Sequence, residues 1–400
     1  MHANTFYRDD IRRTVHVTRG VLNLIGVWPS RDDSSALKIV RTKMLRVLCQ
    51  VLLYFIFVPG VLKIFLKESN ARRRFKMVGP MCNSLIAILK HMVLIYRDDR
   101  IKDCIRHIEE DWEKVNPAED RKIMMNNSRI GRSLAILCIA FVYGSGFSYR
   151  TIVPLLRGVV VTSQNVTIRP LGIAGYYVFI DPQKTPAYEI IFTMQFLSGF
   201  VQYSITSGAC SLAALLVLHA CSQLKILIAR MEDLTKTEHF SAKIANQKLA
   251  AIVKQHIRIK SFLNKVEEIF QYTCLVEVIG CTFILCLLGY YIILEWKDNN
   301  AVSMLTYSIL LLTFAFNIFI FCFIGELLTD QNMKMYITSC TLDWYYIPHK
   351  TARGLILMIA VSSIPIKITA GKFMDLSLNS FGAIVRTSVA YLNILRTTSI

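Results

Sequence analysis

Charge is scarce in this sequence. Asp, Glu, Lys and Arg make up 18% of its 400 residues, below the roughly 25% of a soluble globular domain. Internal repeats, low-complexity tracts and Gly/Ser linkers are missing, which excludes solenoids, arrays and tethered soluble domains. Enzyme signatures are missing too: there is no Gly-rich phosphate loop, no GxGxxG after a strand, no HExxH and no CxxC. Glu267 and Glu268 are adjacent, so on a helix they point to different faces and make no acid/base pair. The eight histidines are scattered; His91 and His256 stand without paired ligands and read as packing or hydrogen-bonding residues. No enzyme, cofactor or metal chemistry is expected. None of the eleven cysteines falls between Arg150 and Tyr188, a long linker between spans, which excludes a disulfide-stapled ectodomain and leaves reduced, packing cysteines.

Apolar residues are what the chain has in plenty: 54% of the total and a mean hydropathy of +0.43. They fall in blocks long enough to cross about 30 Å of hydrocarbon at about 1.5 Å per residue. The blocks run Leu45–Leu66, Met77–Tyr96, Ser133–Leu155, Glu189–Ala220, Ile269–Leu294, Val302–Gly325 and a broken stretch from Gly354 to Leu395. The expected fold is an all-α membrane protein with seven transmembrane helices in one domain: a tail 1–43, spans one to six over 44–325, and a carboxyl-terminal part 326–400. Residues Met1 to Arg41 lack the apolar core and small-residue site of a cleavable signal, so the first span is expected to act as its own insertion signal.

The net charge of +18 sits between the spans rather than on a soluble domain, which argues against nucleic acid as a partner. The tail before Met44 and the linkers 97–132, 221–266 and 326–353 hold about 29 Lys plus Arg, the alternate segments about 11. That asymmetry predicts a cytosolic amino terminus and, after seven crossings, an extracellular carboxyl terminus. The run Ala71–Lys76, ARRRFK, falls on the outer side and argues the other way. In the outer linker, Asn165-Val166-Thr167 is a candidate glycosylation sequon.

Two linkers carry helical apolar stripes: Ile101, Ile105, Ile108 and Trp112 after the second span, and Leu249, Ile252, Ile259, Phe262 and Val266 before the fifth. They fit either a cytosolic bundle formed by extended membrane helices or lone amphipathic helices on the inner leaflet. Aromatic and small residues crowd the outer halves of the spans. Tyr143, Gly144, Phe147, Phe192, Phe196, Phe200, Tyr203 and Tyr307 are candidates for the wall of an apolar ligand cavity, with Gly146, Gly199, Tyr290 and Tyr291 beside them. The same enrichment suits ordinary interfacial aromatics and helix contacts.

The last stretch is wet on one side. At 3.6 residues per turn Asn379, Arg386, Ala390, Asn393 and Thr397 fall near one line. An Arg at mid-membrane costs at least about 2.5–3.5 kcal/mol, so such a face meets water or protein, as a pore lining or as a buried polar contact. Pro365 and Gly371 interrupt the apolar run, which predicts a last helix split into 353–367 and 373–397.

The carboxyl-terminal region resembles the insect odorant receptor family: Gly325 and Leu328, Trp344-Tyr345, Arg353, Pro365, Ala370-Gly371-Lys372-Phe373, Ser377, Phe381, and Ser388 followed by Tyr391. Weaker echoes lie at Leu24–Pro29, Asp111-Trp112 and Gln255–Phe270, so the likeness covers most of the chain. It departs at Ala360–Ser363, where the family usually has a basic residue before the serine. The resemblance implies a ligand-gated non-selective cation channel in the plasma membrane of olfactory sensory neurons, with a small volatile hydrophobic ligand and membrane lipid as its surroundings. It also implies a heterotetramer with the odorant coreceptor, of which a chain lacking the coreceptor's long insertion would be the odorant-tuned subunit. The gate would map to Ile394 beside Tyr391, with Thr397 a turn further out and Arg386 and Ala390 on the same lining. A gustatory-type channel would end differently from SVAYLNILR, and a rhodopsin-like receptor would need an outside amino terminus and an Asp-Arg-Tyr-like motif.

Overall fold

The computed structural model describes residues 7–29, 36–115, 118–154, 160–161, 167–169, 171–178, 180–234, 242–343, 345 and 349–398. Asn165 and Trp344 lie outside them. The elements are α1 (Tyr7–Leu24), α2 (Ala36–Leu62) with a π-helical turn Lys63–Lys67, α3 (Ala71–Tyr96), α4 (Asp98–Lys114), and α5 (Ala118–Phe147) with a π-helical turn Ser148–Ile152. There follow β1 (Val160–Val161), β2 (Thr167–Ile168), α6 (Ala187–Glu232), α7 (Ala242–Lys297), α8 (Ala301–Thr341), α9 (His349–Ser362), β3 (Thr369–Ala370), β4 (Met374–Asp375) and α10 (Leu378–Thr398). Each pair of short strands is antiparallel, an addition to the all-helical expectation.

Among the described residues six helices are long and apolar enough to cross a membrane: Ala36–Lys67, Ala71–Tyr96, Ala118–Ile152, Ala187–Glu232, Lys243–Lys297 and Ala301–Thr341. The chain is a multi-pass membrane protein. At about 1.5 Å per residue, the 46 residues of α6 and the 56 of α7 run about 69 and 84 Å, more than twice the hydrocarbon thickness. They therefore project well beyond the bilayer. A helix apolar on every side belongs inside a bundle; 83% of the most apolar window of α6 is buried, against 28% for α2. Small residues let neighbours approach α6. A Cβ added at Gly208 would lie 3.0 Å from Leu22 of α1, and Thr18 donates to the Ser211 carbonyl. The amino-terminal segment is thus packed into the fold: Leu22, Ile25 and Val27 are fully buried.

At the same end of the bundle the two apolar stripes pack on each other, α4 against α7. Ile101, Ile108, Trp112, Phe262 and Val266 are all buried, and the His107 ring stacks on Phe262 at 4.7 Å. The seam is closed by charge: Arg258 meets Asp111 at 2.7 Å and Lys265 meets Asp103 at 3.5 Å. Asp111 also receives His219 at 3.0 Å and His107 at 3.4 Å. Burial pushes the Asp111 carboxyl up, yet the His219 hydrogen bond and the surrounding cations hold it below the usual carboxylate range. Burial lowers His107 to about 4, the Asp111 charge opposing and Arg258 adding.

His91, in α3, has a structural use. Its Nδ1 lies 3.0 Å from the Gln50 amide nitrogen and its Nε2 3.1 Å from the Ile25 carbonyl, an arrangement satisfied when Nε2 carries the proton. All eleven cysteines are free.

The run Ala370–Phe373 forms the β3–β4 turn. Gly371 and Lys372 both have positive φ, 61° and 64°, as the two central residues of a type I′ β-turn require, and the Phe373 amide closes that turn on the Ala370 carbonyl at 3.1 Å. Gly371 donates to the Gln271 carbonyl of α7 at 2.8 Å, and a Cβ there would come within 2.8 Å of Leu275. Pro365 lies between α9 and this hairpin, which leads into α10.

Candidate ligand cavity and the last helix

An internal cavity lies among α3, α5, α6, α7 and α8. α3 contributes Gly79, Pro80 and Asn83, α5 Val142, Ser145 and Gly146, and the π-helical turn after it Tyr149 and Arg150. α6 contributes Gln202, Tyr203 and Thr206, α7 Ile284, Leu288 and Tyr291, and α8 Tyr307, Leu310, Thr313, Phe314 and Asn317. Counting residues from the α7–α8 turn at about 1.5 Å each, Tyr307 lies about 9 Å down the bundle and Asn317 about 24 Å. The cavity therefore occupies the half of the membrane nearest that turn and ends near its middle.

The space that water-sized spheres can enter totals about 90 Å³. At about 10–15 Å³ per water-sized atom, a ligand of about six to nine non-hydrogen atoms fits. Room for it is set by one close approach: a Cβ at Gly146 would fall inside the Tyr203 ring.

Four hydroxyls of the wall are held by backbone. Tyr203 donates to the Gly146 carbonyl at 2.6 Å, and Tyr291 donates to the Phe75 carbonyl at 2.5 Å while accepting from the Gly79 amide. Thr313 and Ser145 donate back along their own helices. Ring faces and aliphatic side chains make up most of what a ligand meets, with Tyr291 and Tyr307 5.4 Å apart.

Of the aromatic residues singled out in the sequence, the candidates Tyr203 and Tyr307 line this cavity, and so does Tyr291 beside them. Tyr143 stands behind the wall, its hydroxyl 2.6 Å from Ser204 and its ring 5.7 Å from Tyr203. Phe147, Phe196 and Phe200 are about 40% exposed on the outside of α5 and α6, Phe147 meeting Phe196 edge-on. Phe192 stacks on Tyr188, and Gly144 has open space where a Cβ would be.

Two wall features carry no aromatic signal. At the floor, the Asn317 amide donates to Glu277, which forms an ion pair with Lys90 and accepts from the Cys281 thiol at 3.2 Å. Both ionised side chains are 2% exposed or less. A lone acid and a lone base inside two apolar blocks are the sequence signal for such a pair. At the other end, Arg150 donates to the Gln202 amide oxygen and lies over the Tyr203 ring at 5.7 Å.

α10 rests on α7. Ser388 is buried and donates to the Thr282 carbonyl at 3.1 Å, and a Cβ at Gly289 would come within 2.9 Å of Leu392. Asn379, Arg386, Ala390, Asn393 and Thr397 all lie on its exposed side, where Tyr391 is 54% and Ile394 57% exposed.

A helical bundle of membrane spans around a small, mostly apolar cavity defines a multi-pass membrane protein with a candidate site for a small molecule. The sequence-family model described as 7tm Odorant receptor matches residues 74–389, and the chain belongs to that family. Odorant receptor 22c of Drosophila melanogaster is 21% identical over 94% of both chains. Odorant receptor 10 of Aedes albopictus is 20% identical over 78% of this chain and 80% of its own length. Odorant receptor 13a of Drosophila melanogaster is 25% identical over 54% of this chain and 58% of its own length. The fold is that of the olfactory receptor OR5 from Machilis hrabei in complex with eugenol, with a TM-score of 0.81 and 14% identity over 98% of this chain. The family is one of receptors, not enzymes.

Proposed function

We propose that this chain is the odorant-tuned subunit of a ligand-gated, non-selective cation channel assembled with the odorant coreceptor in the plasma membrane of olfactory sensory neurons. The observation that carries the reading is the placement of α7 between two sites. One face of it lines the cavity through Ile284, Leu288 and Tyr291, and another holds α10 through Thr282 and Gly289. A ligand that shifts α7 therefore shifts α10.

α10 is the seventh crossing. Its 21 residues reach about 31 Å, and its exposed polar line with Arg386 fits water or a neighbouring subunit better than lipid. Ile394 is the proposed gate, with Arg386, Ala390, Tyr391 and Thr397 along the same lining. The amino terminus is cytosolic and the carboxyl terminus extracellular, with the α4–α7 seam in the cytosol. Asn165 is the proposed glycosylation site. The ligand is a small, mostly apolar volatile; eugenol, in complex with the Machilis hrabei receptor, is of that kind.

The test is whole-cell current from cells expressing the chain with and without an insect coreceptor, against a volatile panel, with G-protein signalling blocked. The expected result is a fast, block-resistant cation current that needs both subunits. A current abolished by the block, or one evoked from this chain alone, refutes the reading.

A further inference from the structure

Almost every polar group on the cavity wall is answered by the protein itself. The Tyr203 and Tyr291 hydroxyls are taken by carbonyls, the Asn317 amide by Glu277, and the Gln202 amide nitrogen by the Ser84 hydroxyl at 2.9 Å. Arg150 is the exception. It is 8% exposed, one amino group donates to Gln202, and its Nη1 is buried with no hydrogen-bond partner among the described residues. Gly199 makes the space: a Cβ there would lie 3.0 Å from that Nη1.

The charge of Arg150 is unanswered as well. A guanidinium stays protonated at any working pH, and the acids at this end of the bundle are engaged elsewhere. Glu189 pairs with Arg169, Glu295 with Lys76, Asp298 with Arg72 and Asp181 with Lys184, and the Glu68 charge acts on Lys63. The undescribed stretches 155–159 and 162–166, with residues 170 and 179, contain no Asp or Glu. The Tyr203 ring face and a neutral amide oxygen are what the cation has.

We infer that the cavity takes a short-chain carboxylate, its apolar tail among Ile284, Leu288, Leu310 and Phe314 and its head on the guanidinium of Arg150. This rests on the receptor reading above and names the ligand class for the same cavity. An alcohol or ketone oxygen would accept a hydrogen bond from Nη1 but leave the buried charge uncompensated. A carboxylate does both, in the planar geometry that a guanidinium recognises. The volume sets the length: about six to nine non-hydrogen atoms corresponds to straight-chain acids from butanoate to heptanoate.

The test compares hexanoate with hexan-1-ol and hexan-2-one at pH 7. Currents are recorded from cells expressing the full chain with the coreceptor, and equilibrium binding of radiolabelled hexanoate is measured on membranes containing the same complex. Hexanoate is expected to act and to bind at concentrations at least about tenfold below the alcohol, the step that separates a charge-assisted from a neutral hydrogen bond. Arg150→Gln is expected to bring the acid-to-alcohol ratio to about one, and Arg150→Lys to keep part of the preference. Equal potency of acid and alcohol, or an unchanged preference in Arg150→Gln, overturns the inference. Should Arg150→Gln fail to reach the membrane, Gly199→Ala pushes on the guanidinium from α6; a preference undiminished in that variant also overturns it. Labelled hexanoate that binds without opening a channel upholds the ligand class and refutes the channel reading. Alcohol-evoked currents without hexanoate binding do the reverse.

Discussion

Separating Lys90 from Glu277 is the perturbation whose size follows most directly from the structure. Their side chains are 1% and 2% exposed, so solvent offers neither a substitute partner. Removing one member of such a pair costs about 3–5 kcal/mol, because the other charge is left buried and unpaired, whereas replacing both by apolar side chains is near neutral. The two single variants differ. In Lys90→Met the Glu277 carboxylate keeps the Asn317 amide and the Cys281 thiol as donors; in Glu277→Gln the ammonium loses its counter-ion and keeps a neutral amide. Glu277→Gln is therefore the more damaging, and Lys90→Met/Glu277→Gln recovers most of the loss. One kcal/mol moves Tm by about 2–4 °C in domains of 150–250 residues and by less in a longer chain. The single variants should then lose on the order of 5 °C. Fluorescence-detected size-exclusion melting of a tagged chain in detergent reads all four forms of the double-mutant cycle. A double variant whose loss equals the sum of the singles within about 0.5 kcal/mol would show that the two charges do not act as a pair.

The cavity, the gate and the α4–α7 seam each give a further test. Gly146→Ala drives a Cβ into the Tyr203 ring and should shift half-maximal ligand concentrations by about tenfold or more, about 1.4 kcal/mol, while Phe196→Ala on the outer surface should shift them by less than about twofold; equal effects would displace the ligand from this cavity. Ile394→Ala should raise basal current or alter cation permeability with half-maximal ligand concentration little changed, measured by current in the absence of ligand and by reversal potential. For pH, His107 is held to about 4 in the fold against about 6.5 in an unfolded chain. Between those values the unfolded chain binds more protons, so stability rises with pH across the window. Its contribution is complete above about 6.5 and is lost as pH falls toward 4. Asp111, held below its ordinary value, adds a second loss at lower pH. Melting temperature measured from pH 7 to 4.5 should fall more in the parent than in His107→Gln; parallel curves would refute the assignment.

The membrane architecture was legible because its signal is length. Each of six apolar blocks lies within one of the six long helices, the last three residues of the third block, 153–155, apart. The stripe Ile101–Trp112 and the stripe Leu249–Val266 were legible as periodicity, and the structure adds their mutual packing. The cavity was less so. α6 is apolar on every side, so nothing in its pattern tells the inward Tyr203 from the outward Phe196 and Phe200. Tyr307 could be named because it is the one tyrosine of its block and sits in the outer half, but Tyr291 drew no more attention than Tyr290. Lys90 and Glu277 were visible as isolated charges, yet their pairing is a tertiary fact between distant segments. The folding of α1 onto α6 escaped for another reason: its apolar residues Val15, Val21, Leu22 and Ile25 are diluted by the arginines on its other face.

The hydrogen bonds around the cavity indicate where a ligand can act. α3 and α7 are tied to each other by Tyr291 to Phe75, Lys76 to Glu295 and Lys90 to Glu277. α5 and α6 are tied by Tyr143 to Ser204 and Tyr203 to Gly146. Beside the cavity, the bonds joining one pair to the other meet at a single amide, Gln202, which takes Asn83 at 3.4 Å and gives to Ser84 at 2.9 Å. Packed interiors shift between discrete arrangements rather than stretching, so on the proposed reading a ligand acts by changing the set of the two pairs, and α10 follows α7. Moving a closed-to-open ratio from 99:1 to 1:99 takes a preference of about 5.5 kcal/mol for the open arrangement. A ligand of six to nine atoms, at a ceiling of about 1.5 kcal/mol per atom, has about 9–14 kcal/mol in all. Close to half of its interaction must therefore differ between the two arrangements. Apolar walls that wrap the ligand equally in both cannot supply that difference, which places the discriminating contacts at the seam, on Gln202 and the guanidinium of Arg150 that shares its oxygen.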